Sequence, residues 1–229
     1  MNQEYIIGTF VREEKNRFLC TVTVDGKNEE CYIPSSCRLE NFLELSGKEV
    51  ILKRNQAKKS RTRYTVYAIK TKRNYMILKT TEANDIIYNA IRGRRFSFLG
   101  KRTLVEKEKS VEGYKADIYI PDTKTIIEVK SIISMETAAV FPTVYSERAL
   151  EQLIKMKSML SEGYNILYVF VSLNPYVESI AISNDTVQSE YNTLFKECVN
   201  KGMMYRAYTS KLDEMSPRIN KEIQLIIDY

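Results

Sequence analysis

The first eighty residues alternate between apolar and polar positions over short stretches, a pattern that predicts half-buried β-strands. The predicted strands are Tyr5–Arg12, Phe18–Asp25, Glu30–Ile33, Glu49–Arg54 and Arg63–Lys72. Between the third and fourth strands, the apolar residues Leu39, Phe42, Leu43 and Leu45 suggest one short helix or turn. Five short strands joined by long loops are typical of a small barrel of the OB type, and an SH3-like barrel fits almost as well.

Beyond Lys79 the spacing changes, and helices alternate with strands. The predicted elements are a helix over Glu82–Arg95, a strand over Thr103–Lys109, a hairpin of Lys115–Ile120 and Lys124–Ser131, a helix over Ser146–Ser161, a strand over Tyr164–Leu173, a helix over Gln188–Asn200 and a strand over Met203–Thr209. One apolar face of the second helix is made of Ala149, Leu150, Leu153, Met156 and Leu160. This order predicts a mixed α/β domain at residues 81–229, preceded by a separate barrel domain at residues 1–80.

Positive charge is concentrated in the predicted barrel. The chain of 229 residues carries 35 Lys and Arg against 29 Asp and Glu, a formal charge of +6, and residues 1–80 hold 16 of the basic and 9 of the acidic side chains. No acid occurs between Glu49 and Glu82. This basic, acid-free segment favours nucleic acid as a partner, because its charges attract phosphates and its aromatic rings could stack on bases. The alternative is that the segment is a solvated loop face. The candidate contacts are Lys53, Arg54, Lys58, Lys59, Arg61, Arg63 and Tyr64.

The composition excludes several kinds of chemistry. The chain contains no histidine, which rules out a Ser-His-Asp triad, a Cys-His pair and a His-ligated zinc site. Its four cysteines show no C-x-x-C spacing, which favours reduced thiols. The first residues lack the basic and apolar regions of a signal peptide, and no apolar run reaches the ~20 residues that a membrane helix needs. We therefore expect a soluble, cytoplasmic protein with no membrane partner.

The predicted hairpin carries the candidate chemistry. With its turn at Asp122-Thr123, facing residues have numbers that sum to 245, which places Asp117 opposite Glu128. Lys130 lies two residues beyond Glu128 and therefore points to the same face. The apolar side chains on the other face are Ile118, Ile120, Ile127 and Val129. Two facing acids destabilise a sheet, so this placement calls for a cation between them.

A divalent metal would supply that cation. Mg²⁺ prefers carboxylate oxygens, a backbone carbonyl and waters, so the predicted ligands are Asp117, Glu128 and the carbonyl of Val129, with Mn²⁺ as a substitute. Lys130 could orient or deprotonate a water, or stabilise charge on a phosphate. The alternative is that Asp117 faces solvent at a sheet edge while Glu128 and Lys130 form an ordinary surface pair.

At these residues the chain resembles known nucleases. Asp117 with Glu128-Val129-Lys130 is similar to the PD-(D/E)xK motif, and the whole chain resembles the sugar fermentation stimulation protein A family. The matching residues, in family order, are Gly8-Thr9-Phe10, Asn16-Arg17-Phe18, Ile33-Pro34-Ser35-Ser36, Arg38, Arg61-Thr62-Arg63-Tyr64-Thr65, Ala116-Asp117-Ile118, Glu128-Val129-Lys130-Ser131, Ala139-Val140-Phe141-Pro142 and Ser146-Glu147-Arg148. The resemblance implies a five-stranded OB-fold barrel that binds DNA, followed by a restriction-endonuclease-like α/β domain with Mg²⁺-dependent activity on DNA or RNA. It also implies a link to the regulation of sugar utilisation.

Several further residues join the candidate site. Arg38 and Arg148 match the family and are candidate phosphate contacts. Ser131 and Ser146 match as well and could support the metal site, although Ser146 also suits a helix cap. Glu108, on the strand before the hairpin, is a candidate supporting acid, with an exposed side chain as the alternative.

The chain also departs from the usual family sequence. The changed positions are Tyr32, Cys37, Thr143 and Gln152. Gln152 lies on the same helix face as Arg148 and could reach a phosphate near the hairpin, but a solvated polar face is the expectation that we prefer for it. The first helix of related nucleases often donates another acid, and here Tyr88 and Asn89 occupy that neighbourhood.

Two functions remain open on the sequence. The first is a Mg²⁺-dependent nuclease in which the barrel holds the nucleic acid, Asp117 and Glu128 hold the metal and Lys130 activates water. The second is a non-catalytic, DNA-binding regulatory protein that retains the nuclease scaffold. A monomer and a homodimer are both compatible with the sequence.

Overall fold

The structure, a computed structural model of the 229-residue chain, describes residues 5–34, 38–41, 43–57, 60–185 and 189–227. Several residues named above lie outside these ranges: Ser35, Ser36, Cys37, Phe42, Lys58, Lys59 and Gln188. Within the described ranges, every helix is too short or too polar to cross a lipid bilayer.

The described residues in the first third of the chain form six strands. They are β1 (Tyr5–Glu13), β2 (Leu19–Val24), β3 (Lys27–Tyr32), β4 (Glu49–Arg54), β5 (Tyr64–Thr71) and β6 (Asn74–Ile77). Their order in the sheet is β3-β2-β1-β4-β5-β6, and a parallel pairing of β3 with β5 closes the first five into an OB-like barrel. The five predicted strands are confirmed. The sequence pattern does not predict β6. The turn before it has a positive φ of 53° at Lys72, a conformation that glycine usually indicates in a sequence, and no glycine occurs there.

A 3-10 helix over Leu39–Asn41 follows β3, and it and the residues after it contribute apolar side chains to the barrel core. Leu39 and Leu45 are both buried in that core. The buried carboxylate of Glu13, at the end of β1, accepts hydrogen bonds from the backbone N–H groups of Leu39 and Glu40, each at 3.0 Å. These are the donors that the first turn of a helix leaves free, so one buried acid holds the predicted short helix in place.

The described part of the remaining two thirds contains the helices α1 (Glu82–Ala90), α2 (Glu147–Ser161) and α3 (Ser189–Asn200). Its strands are β7 (Glu106–Val111), β8 (Tyr114–Ile120), β9 (Thr125–Ile132), β10 (Ala138–Phe141), β11 (Asn165–Ser172), β12 (Ser179–Ile182), β13 (Met204–Asp213), β14 (Ser216–Glu222) and β15 (Gln224–Ile226). A six-stranded sheet has the order β14-β13-β11-β9-β8-β7, and β10, β12 and β15 form a smaller parallel sheet. The predicted mixed α/β class is confirmed.

The differences from the predicted elements have local causes. The first helix ends at Ala90 rather than Arg95, because Gly93 has extended backbone angles, with φ −75° and ψ 169°, and a 3-10 helix over Arg94–Leu99 follows. Strands β10, β12 and β15 have three or four residues each, too few for a clear alternating pattern. Strand β14 is mostly polar, so its sequence does not predict a strand either.

The central strand β11 shows how the sheet is covered. Its Ile166, Tyr168 and Phe170 belong to the apolar cluster that includes α2 and α3, whereas Leu167 and Val169 belong to the cluster that includes α1. Alternate residues of a strand point to opposite faces, so both faces of the sheet are buried. The sheet is therefore the middle of three layers.

One apolar cluster is shared by the barrel and the rest of the chain. Tyr67 and Ile77 of the barrel lie in the same cluster as Ile87 of α1 and Ile127 of β9. The backbone N–H of Ile77 also donates to the carbonyl of Leu173, just beyond β11, at 3.1 Å. The barrel thus packs directly against the sheet that carries the candidate site.

The packing of α2 can be tested with two neighbouring residues. Leu153 is fully buried, whereas Ile154 is 54% exposed. Leu153→Ala should lower the free energy of unfolding by about 2–5 kcal/mol, because it leaves a cavity between α2 and the sheet. Ile154→Ala removes the same number of atoms from the exposed face and should change it by less than about 0.5 kcal/mol. Urea unfolding followed by circular dichroism measures both, and equal losses would contradict this orientation of α2.

Candidate metal and catalytic site

The candidate site lies where β8 and β9 separate. The two strands pair in the predicted register, with Ile118 opposite Ile127, and the pairing ends there. Beyond it, the backbone N–H of Val129 donates to Oδ2 of Asp117 at 2.8 Å, so a carboxylate takes the place that a main-chain carbonyl holds in a regular ladder. Asp117 and Glu128 therefore do not form the backbone pair that an unbroken ladder would give.

The Asp117 carboxylate is half-buried and accepts two hydrogen bonds. Besides the bond from Val129, its Oδ1 accepts one from the side-chain amide of Asn84 on α1 at 2.9 Å. Burial, and after it the negative charge of Glu128, raises the pKa of Asp117 from 3.8 to about 6. The two acids repel each other, and a cation between them would relieve this repulsion.

Glu128 is the more enclosed of the two acids, with 3% of its surface exposed. Its Oε1 accepts a hydrogen bond from Nζ of Lys130 at 2.8 Å, and its Oε2 accepts a short one from the hydroxyl of Tyr114. Burial and the charge of Glu128 raise the pKa of Tyr114, so this hydroxyl keeps its proton and donates. These two donors satisfy a buried carboxylate that would otherwise destabilise the fold.

Lys130 is held by three groups. Besides bonding Glu128, its ammonium donates to the amide oxygen of Gln152 on α2 at 2.7 Å and lies 5.7 Å from the ring centroid of Tyr168 on β11. The expectation that Gln152 lies on a solvated face is therefore wrong. An ordinary surface pair of Glu128 and Lys130 is also wrong, because the Lys130 side chain is 16% exposed and its partner is buried.

The donor set suits a hard divalent cation. Asp117 and Glu128 offer carboxylate oxygens, and the carbonyl of Val129 lies on the same strand as Glu128. Across the part of the chain that the structure describes, His, Cys, Asp and Glu side chains nowhere gather in a group of three or more that could hold a metal. The protein would therefore supply two carboxylates and leave the remaining positions to the carbonyl and to waters, which is common for Mg²⁺.

A cleft of about 590 Å³ contains the site. Thr80 and Thr81, which follow the barrel, line one part of it, while Thr143 and Arg148 line another. The Arg148 side chain is exposed, and its guanidinium makes no hydrogen bond or ion pair with any other described residue. A guanidinium without a partner in a cleft is suited to a phosphate group.

The candidate supporting residues have different roles. Ser131 lines the cleft. Ser146 caps α2, since its Oγ accepts a hydrogen bond from the backbone N–H of Ala149 at 3.3 Å. Glu108 is exposed, lines the cleft and pairs with Lys115 at 2.7 Å. In the described structure none of these three side chains hydrogen-bonds to the two central acids.

The predicted nucleic-acid contacts do not all face solvent. Lys53 is half-buried, with its ammonium over the rings of Tyr5 and Tyr67, and burial lowers its pKa. Arg61 pairs with Glu30 of β3 at 3.3 Å. The basic residues of this set that are described and exposed are Arg54, Arg61 and Arg63.

Tyr64 and Arg38 stabilise the barrel itself. The Tyr64 side chain is buried in the barrel core, 7% exposed, so its predicted stacking on a base is wrong. The physical reason is the pairing of Cys31 with Tyr64, which closes the barrel over this residue. Arg38 donates through Nη2 to the carbonyls of Glu14 and Lys15, each at 2.9 Å, and so fixes the chain that follows β1.

Two polar side chains of the site are not singled out by the sequence pattern. Asn84, rather than Tyr88 or Asn89, is the residue of α1 that hydrogen-bonds to Asp117. Its place in the first turn of the helix, directly after the barrel, could have indicated it. The sequence pattern misses the contact of Tyr114 for a different reason. Ala116 packs in the same cluster as Tyr114 whereas Ile118 packs in the opposite one, so β8 changes face at Asp117.

Comparison with known proteins identifies the family. One family model, described as the SfsA N-terminal OB domain, matches residues 13–78, and another, described as the sugar fermentation stimulation protein RE domain, matches residues 81–216. The chain belongs to the sugar fermentation stimulation protein family. The resemblance read from the sequence is thereby confirmed, as is the order of an OB domain followed by an RE domain.

Members of the SfsA family align with most of this chain. A sugar fermentation stimulation protein homolog from Caldanaerobacter subterraneus is 28% identical over 226 residues, covering 97% of each chain. A homolog from Methanobrevibacter smithii is 28% identical over 185 residues, 75% of this chain and 77% of the relative. The solved structure of Pyrococcus furiosus SfsA in complex with Ca²⁺ matches with a TM-score of 0.81 and 20% identity, covering 98% of this chain and 96% of that one. This last match shows that the two proteins have a similar fold.

The raised pKa of Asp117 makes the stability of this SfsA-family protein pH-dependent when metal is absent. The folded state binds the Asp117 proton more tightly than the unfolded chain does, so this residue lowers the free energy of unfolding as pH rises from about 4 to about 6. The full effect above that range is on the order of 2–3 kcal/mol. Asp117→Asn removes the charge and should be more stable than wild type at about pH 7.5 but not at about pH 4.

Urea unfolding in EDTA at both pH values measures this difference. Comparing the variant with wild type at each pH cancels the titration of the other carboxylates. A difference between the two proteins that is the same at both pH values would contradict the assignment.

Proposed function

We propose that this protein is a divalent-metal-dependent nuclease that hydrolyses phosphodiester bonds in DNA or RNA. The observation that carries the proposal is the meeting of two carboxylates and one anchored lysine in a single cleft. Asp117, Glu128 and Lys130 are the groups that metal-assisted phosphodiester hydrolysis uses, and this chemistry needs no histidine.

The metal would be Mg²⁺, with Mn²⁺ as a substitute, held by Asp117, Glu128 and the carbonyl of Val129. When bound, such an ion polarises a phosphoryl oxygen and lowers the pKa of water. The Pyrococcus furiosus relative is described in complex with Ca²⁺, which supports a divalent site in this family. Ca²⁺ and Mg²⁺ both take carboxylate and carbonyl oxygens, so the same donors suit either ion.

The role of Lys130 follows from its anchoring. An ammonium has three N–H donors, and Glu128 and Gln152 accept two of them. The third is left for the attacking water or a phosphate oxygen, where the positive charge stabilises the charge that develops at phosphorus. Gln152 and Tyr114 act as positioning residues. The amide of Gln152 holds Lys130, and the hydroxyl of Tyr114 holds Glu128.

The barrel would bring the nucleic acid to this site. The excess of basic side chains in residues 1–80 attracts a phosphate backbone, and Arg148 offers a further contact inside the cleft. In this division, residues 1–80 bind nucleic acid and residues 81–229 carry the chemistry. A cytoplasmic location and a link to the regulation of sugar utilisation belong to the same proposal.

A non-catalytic, DNA-binding regulator is the second candidate. One observation favours it: each carboxylate oxygen of the two acids already accepts a hydrogen bond. The donors are Asn84 and Val129 to Asp117, and Lys130 and Tyr114 to Glu128. In that case the acids would serve the fold, and the nuclease scaffold would serve as an interaction module.

Divalent metal should stabilise the protein through Asp117. At about ten times its Kd, bound Mg²⁺ adds about 1.4 kcal/mol to the free energy of unfolding. For a chain of this size that raises the unfolding temperature by roughly 3–6 °C. Asp117→Asn should lose most of this rise, whereas Asp213→Asn, which changes an aspartate paired with Arg218 outside the cleft, should keep it. Differential scanning fluorimetry with MgCl₂ or MnCl₂ measures the shifts, and equal shifts in both variants would place the metal elsewhere.

Cleavage should depend on Lys130. Lys130→Met is expected to slow Mg²⁺-dependent cleavage of labelled DNA or RNA by roughly 10²–10⁴-fold, because it removes the group that orients water and stabilises charge. The Mg²⁺-induced thermal shift should remain, since both carboxylates are still present. Lys157→Met is the matched control, because it removes a lysine paired with Glu197 at 2.8 Å outside the cleft.

Two outcomes would decide against the nuclease. Cleavage by Lys130→Met at the wild-type rate would place the activity outside this site. A wild-type protein that cuts neither single- nor double-stranded substrates, yet shifts DNA in a salt-dependent manner, would support the non-catalytic regulator instead.

A further inference from the structure

Two aromatic side chains lie stacked on the barrel surface. The ring centroids of Phe18 and Tyr32 are 6.2 Å apart and the ring planes differ by 16°. The pairing of β2 with β3 sets Leu19 opposite Tyr32, and the N–H of Ile33 donates to the carbonyl of Phe18 at 2.9 Å. The backbone therefore fixes the pair without burying it: Tyr32 is 38% exposed and Phe18 is half-buried.

Basic and polar side chains stand among the apolar groups around this aromatic pair. The guanidinium of Arg17 lies 4.7 Å from the ring centroid of Phe18. On one side, a concave surface of about 530 Å³ is lined by the amides of Asn16 and Asn55 and by Arg61. The Asn55 amide is engaged by Ser60, Thr62 and Thr65, so the rings and the positive charge are what this surface offers to a ligand. Flat aromatic faces next to positive charge are the groups that bind a base and its phosphate.

A second concave surface, of about 440 Å³, joins the aromatic pair to the catalytic cleft. Phe18 and Tyr32 line it together with Lys79, Thr80 and Thr81. Thr80 and Thr81 also line the cleft that contains the two central acids. A groove therefore runs from the aromatic pair, past the two threonines, to the candidate catalytic site.

We propose that Phe18 and Tyr32 stack on an unpaired base, and that the groove leads a single-stranded segment of nucleic acid to Asp117 and Glu128. The inference rests on the proposed nuclease function and adds the substrate class. In a duplex the bases are stacked on one another, so the aromatic faces find no partner there. A single strand offers both a free base for the rings and phosphates for the basic barrel.

Oligonucleotide binding to the full chain in EDTA tests the proposal without interference from cleavage. Fluorescence anisotropy of labelled oligodeoxythymidylate and oligouridylate of about 16 nucleotides, the upper site size of one OB fold, compares wild type with Phe18→Ala and Tyr32→Ala. Each substitution should weaken single-strand binding about tenfold and leave binding of a blunt duplex within about twofold of wild type. Comparing the affinities for the DNA and the RNA oligonucleotide shows which of the two the aromatic pair binds more tightly.

Two matched variants serve as controls. Tyr32→Phe keeps the ring and should bind the single strand like wild type. Phe98→Ala removes another exposed ring that carries an arginine, Arg206, at 4.8 Å from its centroid, but that lies outside the groove. It should also bind like wild type, because charge and exposure alone do not create the stacking site.

A 2-aminopurine base in the strand gives a direct readout in the wild-type protein, since stacking on an aromatic ring quenches its fluorescence. No quenching on binding would overturn the proposal whether or not the alanine variants fold. Unchanged single-strand affinity in both alanine variants, or an equal loss for the duplex, would overturn it as well. Binding in EDTA does not depend on Lys130 chemistry, so failure of the nuclease proposal is seen separately in the cleavage assay.

Discussion

A carboxylate buried inside a sheet must have its charge compensated by the protein, and Glu128 imposes this constraint on the whole site. The compensation comes from Lys130 on the same strand and from Tyr114 on the neighbouring one. Lys130 in turn bonds Gln152 and lies over Tyr168, so the acid is linked through it to α2 and to β11. One buried charge thereby connects three strands and a helix.

The alternation of apolar and polar residues is enough to predict the hairpin that carries the site. Ile118 faces Ile127, as expected for a hairpin whose facing residues have numbers that sum to 245, and both are fully buried. Alternation is not enough at Asp117, where β8 changes face and brings Tyr114 to the side of Glu128. A strictly regular strand would place Tyr114 on the opposite face, so the contact depends on a local irregularity that periodicity cannot reveal.

Contacts between distant segments account for most of what the sequence does not predict. Tyr64 looks like a surface aromatic among basic residues, yet its pairing with Cys31, from a strand much earlier in the chain, closes the barrel over it. Gln152 has polar neighbours on its helix, and its partner Lys130 is 22 residues earlier on another element. Residue type and spacing identify the charged groups of the site, whereas the contacts that Gln152 and Tyr114 make with them become visible only in the folded chain.

The amide of Gln152 has a consequence for how the site responds to its surroundings. An imidazole in this place would gain and lose a proton near neutral pH, and its charged form would repel the ammonium of Lys130. An amide oxygen accepts a hydrogen bond and has no proton to exchange. The contact between α2 and Lys130 therefore has the same polarity in acidic and in neutral surroundings, and a change of pH leaves the amide anchor of the lysine in place.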